Sequence, residues 1–222
     1  RSSGSSLKPF TAYGPLFEYF GNMYSTATTM STAPYQYPGS NAVMYNWGRL
    51  SYGNQTLQES LRLSLNTPVG RIDDGILGSS RMKTFLHGLG LDVKDSYSSV
   101  DGIGLNVSTL QAASAYAALI NGGMYTQPRF VDEITFIDKS VKKIEPKRNR
   151  AMKESTAFVL TQMLRGIPQP SSTAPIATIP SYQGYGGKTG TVAFDASVNA
   201  PAPYGAGGSD AWYNSFTKDG YA

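Results

Sequence analysis

The chain has 222 residues, of which 40% are hydrophobic and 15% charged, a balance typical of a folded protein with a core of its own. Its formal net charge of +4 comes without a dense run of lysine or arginine, which argues against nucleic-acid binding. The absence of cysteine and the presence of one histidine, His87, exclude a disulfide framework and a zinc site of the Cys/His type. We expect His87 itself to be an exposed helix residue.

Helices are predicted first along the chain. Residues 5–20 should form a helix that Gly14-Pro15 bends or interrupts, and a structured loop over residues 21–55 follows. Apolar periodicity predicts further helices at residues 56–66, 79–89, 108–121 and 153–164. Their candidate N-caps are Thr56, Ser79 or Ser80, and Ser108.

Strands are predicted later in the chain. Residues 130–137 and 141–144 should form a hairpin that turns near Asp138-Lys139. A second pair of strands is expected at residues 188–194 and 211–217. Loops are expected at residues 92–107, 167–187 and 196–209. A helix-rich block with a late antiparallel pair is typical of the α+β class.

Ser5 and Lys8 lie three residues apart in the first predicted helix, so both side chains should leave the same face. A serine hydroxyl is a weak nucleophile unless a neighbouring base takes its proton. A lysine can be that base when burial or a second cation lowers its pKa. The Ser5–Lys8 pair alone is weak evidence for catalysis, because the same spacing occurs in Ser80-Arg81-Met82-Lys83 and Ser140-Val141-Lys142-Lys143.

Three short motifs follow one another in a set order: Ser5-x-x-Lys8, then Ser64-x-Asn66, then Lys188-Thr189-Gly190. This ordered trio is a signature of class A β-lactamases and penicillin-binding proteins. Over nearly its whole length, the chain resembles the transpeptidase domain of class A (bifunctional) penicillin-binding proteins, most closely the type 1a proteins of Gram-positive bacteria. The flanks that carry the resemblance are Gly4–Pro9, Tyr45-Asn46-Trp47, Thr56-Leu57-Gln58, Asn121-Gly122-Gly123, Arg150-Ala151-Met152 and Asp210-Ala211-Trp212.

The resemblance implies a serine β-lactamase/D,D-peptidase-like fold, in which helices flank an antiparallel sheet. We expect residues 1–222 to be one penicillin-binding transpeptidase domain that is incomplete at both ends. No apolar run approaches the ~20 residues that span a bilayer, so the membrane anchor is expected outside this fragment. The implied location is the extracytoplasmic face of the bacterial membrane. No cofactor or metal is expected.

Catalytic roles also follow from the resemblance. Ser5 would attack the carbonyl of a D-Ala-D-Ala bond in a peptidoglycan stem peptide or be acylated by a β-lactam, with Lys8 as its base. Ser64 would relay a proton to the leaving amine, and Asn66 would bond both the substrate backbone and Lys8. Lys188 would place a fixed positive charge beside the substrate carboxylate and help to keep Lys8 neutral.

The strand that carries Lys-Thr-Gly is expected to bind the substrate. The hydroxyls of Thr189 and Thr191 can donate to the substrate carboxylate, and Gly190 lies between them. The resemblance implies that the backbone N–H groups of Ser5 and Thr191 form the oxyanion hole, where each donor is worth ~3 kcal/mol in the barrier.

The sequence departs from the motif pattern at Leu65, which replaces the Asp of Ser-Asp-Asn, and at Ser215, where the family usually has Gly. No glutamate after Asn66 stands out as an activator of a deacylating water. Leu65 and the missing glutamate favour a transpeptidase over a β-lactamase, whereas Ser215 favours neither. The alternatives are a D,D-carboxypeptidase or β-lactamase of the same fold, or a non-catalytic module that binds the cell wall.

Other patterns have less specific interpretations. Gly187-Lys188-Thr189 could end a phosphate loop, but a strand is predicted after it where that loop needs a helix. Asp73-Asp74 is interpreted as a solvated turn, since adjacent carboxylates do not face each other on a helix. The aromatic residues of 35–47 and Trp212 belong either to the core or to a peptide-binding cleft.

Overall fold

The computed structural model describes residues 1–93, 97–178, 184–193, 208–217 and 219. Within these ranges, the α-helices are Gly14–Phe20 (α1), Leu57–Arg62 (α2), Thr67–Ile72 (α3), Ser79–Gly88 (α4), Thr109–Ile120 (α5) and Glu154–Arg165 (α6). The strands are Thr29–Ser31 (β1), Tyr35–Gln36 (β2), Val43–Met44 (β3), Asn54–Thr56 (β4), Met124–Thr126 (β5), Glu133–Thr135 (β6), Val141–Lys143 (β7), Arg148–Arg150 (β8), Tyr185–Ala193 (β9) and Gly208–Thr217 (β10). Every strand pair is antiparallel, which together with the helices confirms the α+β class.

The first predicted helix exists but changes type twice along its length. A 3₁₀ turn at Gly4–Leu7 leads into a π-helix at Pro9–Tyr13 and then into α1. The helix is not interrupted at Gly14-Pro15, where the π-helix passes directly into α1 and the proline occupies the first turn of α1, so that its missing N–H is tolerated. Every residue from 6 to 17 is buried, so surrounding elements hold this segment from all sides.

Two predicted N-caps are confirmed. The Thr56 hydroxyl accepts a hydrogen bond from the Glu59 N–H at 3.1 Å, and Ser108 forms a capping box with Gln111. The cap expected at Ser79 or Ser80 is wrong, since Gly78 precedes α4 with a φ of +72° and no side chain caps that helix. Glycine adopts this backbone conformation without steric cost, which is why it occupies the junction.

The longest strand pair is β9 with β10, in which Thr191 pairs with Ala211 and Gly187 with Ser215. Strand β9 begins three residues before the predicted start, inside the stretch expected to be a loop. The predicted hairpin is confirmed as β6 with β7, although both strands are shorter than expected. Most of the loop predicted at residues 196–209 lies outside the described residues. The loop predicted at 21–55 contains β1, β4 and the β2–β3 pair.

The β9–β10 pair packs against the 3₁₀ turn Gly4–Leu7 and against α5 and α6. One hydrogen bond ties these layers together: the buried Tyr116 hydroxyl of α5 donates to the Ser6 carbonyl at 2.6 Å. Phe10 packs edge-on against the Tyr116 ring, with 5.1 Å between ring centroids. Through Tyr116, the core therefore fixes the position of the turn that carries Ser5.

Asp73 corrects the interpretation of Asp73-Asp74 as a solvated turn. Asp74 is exposed, but Asp73 is buried and its carboxylate oxygens have no hydrogen-bond partner among the described residues. Burial, assisted by the charge of Asp74, raises the pKa of Asp73 well above its usual range. Burial in the core therefore favours the neutral form of the Asp73 carboxyl. His87 is exposed on α4, as expected.

None of the helices among the described residues has both the length and the apolar character required of a membrane-spanning segment.

Replacing Tyr116 with Phe should lower the free energy of unfolding by about 1–3 kcal/mol, because the buried Ser6 carbonyl loses its donor. Urea denaturation measures this loss. The matched control is Tyr19→Phe, which removes a hydroxyl from a side chain that is 37% exposed and should change stability by less than about 0.5 kcal/mol. Equal effects of the two substitutions would contradict the role of the Tyr116 hydroxyl.

Candidate active site

Ser64 and Asn66 lie between α2 and α3, where the chain leaves helical geometry. Helix α2 was predicted to continue to residue 66, but it ends at Arg62, and Ser64 has a φ of +58°. A positive φ is uncommon for serine and marks a strained junction that the surroundings must stabilise. The junction leaves the carbonyl groups of Ser64 and Leu65 without helical partners, so both can accept hydrogen bonds from another element.

Lys8 supplies those hydrogen bonds. Its Nζ donates to the carbonyl of Ser64 at 2.6 Å, to the carbonyl of Leu65 at 3.1 Å and to Oδ1 of Asn66 at 2.6 Å. The Lys8 side chain is completely buried. This contact joins the Ser5 turn to the Ser64–Asn66 junction, which is more than fifty residues away in the sequence.

Burial, followed by the charge of Lys188, lowers the pKa of Lys8 well below its usual range. The three oxygen acceptors act in the opposite direction, because they match the three protons of an ammonium group. The described residues place no carboxylate in contact with either lysine, so burial and the charge of Lys188 favour the neutral form of Lys8. A neutral Lys8 has two protons for these three oxygens and a lone pair, which is what a base requires.

Lys188, on β9, approaches the junction from the opposite side. Its Nζ donates to the Ser64 hydroxyl at 2.7 Å and to the Thr189 carbonyl at 3.0 Å. Its side chain is also completely buried, and burial lowers the pKa of Lys188 to about 7. Burial therefore acts against the fixed positive charge that the sequence led us to expect at Lys188.

Two glycines bring the Ser5 turn against β9. A Cβ atom on Gly190 would lie 2.2 Å from the Ser3 carbonyl oxygen and 2.8 Å from the Ser6 nitrogen. A Cβ on Gly4, which has a φ of +50°, would lie 2.7 Å from the Thr191 carbonyl oxygen. Only glycine permits this backbone contact. As a result, Ser5 and Thr191 are held beside each other at the mouth of the site.

These elements enclose a cavity of about 640 Å³, which we call the site cavity. The predicted site residues that line it are Ser5, Ser64, Asn66, Thr189, Gly190 and Thr191, while Lys8 and Lys188 are buried behind it. Ser5 is half-buried, and its hydroxyl forms no hydrogen bond with any other described residue. The described residues that line the cavity include no aspartate or glutamate.

The competing motif matches lie elsewhere. Ser80 is exposed on α4, and Ser140 and Lys143 are exposed on the β6–β7 hairpin. The phosphate-loop interpretation is wrong, because Lys188 and Thr189 lie inside strand β9 rather than before a helix. No group of three metal-binding carboxylate or imidazole side chains occurs in the described parts of the chain.

Asn46 is a positioning residue that sequence reasoning did not identify. Its Oδ1 accepts from the N–H groups of Asn66 at 2.8 Å and Thr67 at 3.1 Å, and it is buried. Its Nδ2 donates to the carbonyls of Thr32 at 2.9 Å and Leu50 at 3.1 Å. A single amide thus fixes the start of α3 and the backbone of Asn66. Its place in Tyr45-Asn46-Trp47 was the available signal.

Aromatic residues divide between the two roles left open by the sequence. Trp47 and Trp212 line the site cavity, and Trp47 is 80% exposed. Tyr35 instead packs on α3, where a Cβ on Gly70 would meet its ring at 2.6 Å. Thr173 also lines the cavity, and its hydroxyl accepts a hydrogen bond from Thr189 Oγ1 at 3.0 Å.

The profile of the family described as penicillin binding protein transpeptidase domain matches residues 1–219. The chain belongs to this family. It is 39% identical over 202 residues to penicillin-binding protein 1A of Streptococcus pneumoniae (strain ATCC BAA-255 / R6), covering 86% of this chain and 27% of that protein. Over 222 residues it is 32% identical to penicillin-binding protein 1A/1B of Bacillus subtilis (strain 168), covering 96% of this chain and 24% of that protein.

Solved structures show the same fold. The D,D-transpeptidase domain of a peptidoglycan glycosyltransferase from Eggerthella lenta superposes with a TM-score of 0.76 at 21% identity, covering 100% of this chain and 58% of that one. Penicillin-binding protein 1A from Haemophilus influenzae gives a TM-score of 0.76 at 23% identity, covering 97% of this chain and 36% of that one. The expected penicillin-binding fold is confirmed. The chain spans about a quarter of the length of the curated relatives it matches.

In this transpeptidase-family chain, Asn46→Asp should lower the free energy of unfolding by about 3 kcal/mol, because carboxylate oxygens would face the carbonyls of Thr32 and Leu50. Urea denaturation measures the loss. The same change at exposed Asn41 is the control and should be close to neutral. A fully stable Asn46→Asp protein would show that these two donated bonds contribute little.

Stability should rise with pH because of Lys188. Between the pKa of about 7 in the folded chain and 10.5 in the unfolded chain, the unfolded lysine binds a proton that folded Lys188 has released. The free energy of unfolding should therefore increase across this window, by at most about 1.4 kcal/mol per pH unit for one proton.

Lys188→Met should reduce this slope by up to one proton, whereas Lys142→Met, at an exposed position on β7, should leave it unchanged. The measurement is urea unfolding at several pH values within the window. An identical slope in wild type and Lys188→Met would indicate that Lys188 keeps its ordinary pKa in the folded chain.

Proposed function

We propose that this chain carries the active site of a serine D,D-transpeptidase, which cross-links peptidoglycan stem peptides through an acyl-enzyme on Ser5 and is acylated by β-lactams. The observation that carries the proposal is the convergence of three distant segments on one cavity. Lys8 donates a hydrogen bond to Asn66, and Lys188 donates one to Ser64. The Ser5 hydroxyl, which has no hydrogen-bond partner among the described residues, lies in the same cavity. Family membership supports the same chemistry.

The first step is acylation of Ser5. Its Oγ attacks the carbonyl carbon of the penultimate D-Ala, a C–O bond forms, and the hydroxyl proton passes to neutral Lys8. The carbonyl oxygen becomes an oxyanion, for which the backbone N–H groups of Ser5 and Thr191 are the proposed donors. The close contact between Gly4 and Thr191 supports this assignment, since it keeps both backbones rigid and adjacent.

The leaving group needs a proton as the C–N bond breaks. Ser64 is the proposed donor, because its hydroxyl accepts a hydrogen bond from Lys188 and can pass its own proton to the departing amine of the terminal D-Ala. The released proton is replaced from Lys188 or Lys8. An acceptor amine from a second stem peptide then attacks the Ser5 ester. A C–N bond forms, the C–O bond to Ser5 breaks, and the proton that the amine loses passes through these side chains to Ser5 Oγ, which completes the cross-link.

The substrate carboxylate is proposed to bind beside Lys188, Thr189 and Thr191. An anion placed there would raise the pKa of Lys188 from about 7 towards its usual value, because the opposite charge favours the ammonium form. Lys188 would then carry its positive charge when substrate is bound. This is the charge that the sequence led us to expect beside the substrate carboxylate.

The cavity favours transfer to an amine over hydrolysis. A β-lactamase of related chemistry needs a base to activate the deacylating water, and the described residues lining the site cavity include no carboxylate. The first acidic residues after Asn66 are Asp73, which is buried in the core, and Asp74, whose carboxylate accepts from Tyr35 and Ser99. Neither is available to activate a water in the cavity.

Residues 1–222 are proposed to be part of one transpeptidase domain. The proposed setting is the extracytoplasmic face of a bacterial membrane, because the polymer to be cross-linked lies outside the cell. A membrane anchor would then be supplied by residues outside this chain.

Incubation with benzylpenicillin should add the mass of one antibiotic molecule to the intact protein, and Ser5→Ala should abolish the adduct. Intact-protein mass spectrometry measures both. Ser140→Ala is the matched control, because Ser140 has the same spacing to a lysine but is exposed on the hairpin, and it should leave labelling unchanged. A folded wild-type protein that keeps its unmodified mass would exclude the proposed function.

A further inference from the structure

The segment from Ile167 to Thr178, here called the wall loop, reaches the site cavity through Thr173. Thr173 is exposed and lines the cavity next to strand β9. Its hydroxyl oxygen accepts a hydrogen bond from Oγ1 of Thr189 at 3.0 Å. None of the three motifs includes Thr173, and the role of this contact is not explained by them.

Counting protons shows what this contact does to Thr189. A hydroxyl has one proton to donate, and Thr189 has given its proton to Thr173. Towards the cavity, the Thr189 hydroxyl can therefore only accept a hydrogen bond. A carboxylate also only accepts, so Thr189 has no proton to offer it. The hydroxyl proton of Thr173 forms no hydrogen bond with any residue in the described part of the chain, so it is the donor that this pair can offer to an anion.

The wall loop is held on both sides of Thr173. Ile167 and Ala174 are buried in the hydrophobic core. On the other side, Arg62 Nη1 donates to the Ser171 carbonyl at 2.6 Å. Thr173 is therefore fixed in position relative to the core and to α2.

Arg62 is itself held by Glu59, one turn earlier on α2. Arg62 Nε donates to Oε2 of Glu59 at 2.7 Å, and the second nitrogen of the fork, Nη2, donates to Oε1 at 2.5 Å. Arg62 also directly precedes the junction that carries Ser64 and Asn66. The bidentate ion pair with Glu59 orients Arg62, and Arg62 connects the wall loop, through Ser171, to the end of α2 just before the junction.

We propose that Thr173 is a substrate-binding residue, whose hydroxyl accepts a hydrogen bond from Thr189 and donates its own proton to the carboxylate of the acyl donor, and that Arg62 is the positioning residue that holds Thr173 there. The inference rests on the proposed function, which supplies the carboxylate-bearing ligand. It adds a wall-loop contact to the carboxylate site expected on β9.

The test compares a β-lactam that has its carboxylate with one that does not. The second-order rate constant for acylation of the full-length protein is measured with benzylpenicillin and with its methyl ester. Thr173→Val should reduce the acid-to-ester ratio of rate constants by about tenfold, because only the acid loses a hydrogen bond to a charged group. Thr173→Ser, which keeps the hydroxyl, should retain the wild-type ratio.

Arg62 is tested in a double-mutant cycle. Arg62→Gln should lower the same ratio, since Ser171 loses its donor and Thr173 loses its fixed position. In the Thr173→Val protein, Arg62→Gln should cause no further drop in the ratio. A drop that simply adds to that of Thr173→Val would exclude the positioning role.

The proposal is overturned if Thr173→Val leaves the ratio unchanged or slows acid and ester equally, since the latter would be a packing effect. If wild type reacts with neither probe, the proposed function fails separately. The carboxylate contact is then decided by equilibrium binding of N-acetyl-D-Ala-D-Ala and its C-terminal amide to the same proteins, followed by NMR. A preference for the acid that Thr173→Val removes supports the contact, and an unchanged preference rejects it.

Discussion

The site depends on two buried lysines that reach the same strained junction from opposite sides. Lys8 bonds the backbone and the amide of the Ser64–Asn66 junction, and Lys188 bonds the Ser64 hydroxyl. Because each lysine belongs to a different layer, these hydrogen bonds join the Ser5 turn, the α2–α3 junction and strand β9. The positive φ of Ser64 is tolerated because the layers around it determine its position.

The same arrangement makes the site chemically reactive. The described residues place no carboxylate beside the two amines, so burial lowers the pKa of both lysines, and the charge of Lys188 lowers that of Lys8 further. The outcome is an amine that can accept a proton near neutral pH, which an exposed lysine cannot do. An incoming carboxylate would supply the missing negative charge, and this couples ligand binding to the protonation of Lys188.

Local sequence signals predicted local structure well. The N-caps at Thr56 and Ser108 and the pairing of residues 211–217 with the Lys-Thr-Gly strand follow from neighbouring residues, and the structure contains them. Signals that depend on distant packing failed. Asp73 looks solvated in its own segment but lies in the core, because elements far away in the sequence close over it.

The sequence alone determined the family, the order of the motifs and the identity of the reactive groups, since these depend on residue types at short spacings. Tertiary structure decided which of the three serine–lysine pairs lies in a cavity, and it brought Asn46 and Thr173 to the site. It also made the charge of Lys188 titratable. The physical reason is that burial, and with it the pKa of a side chain, is set by segments that meet only when the chain has folded.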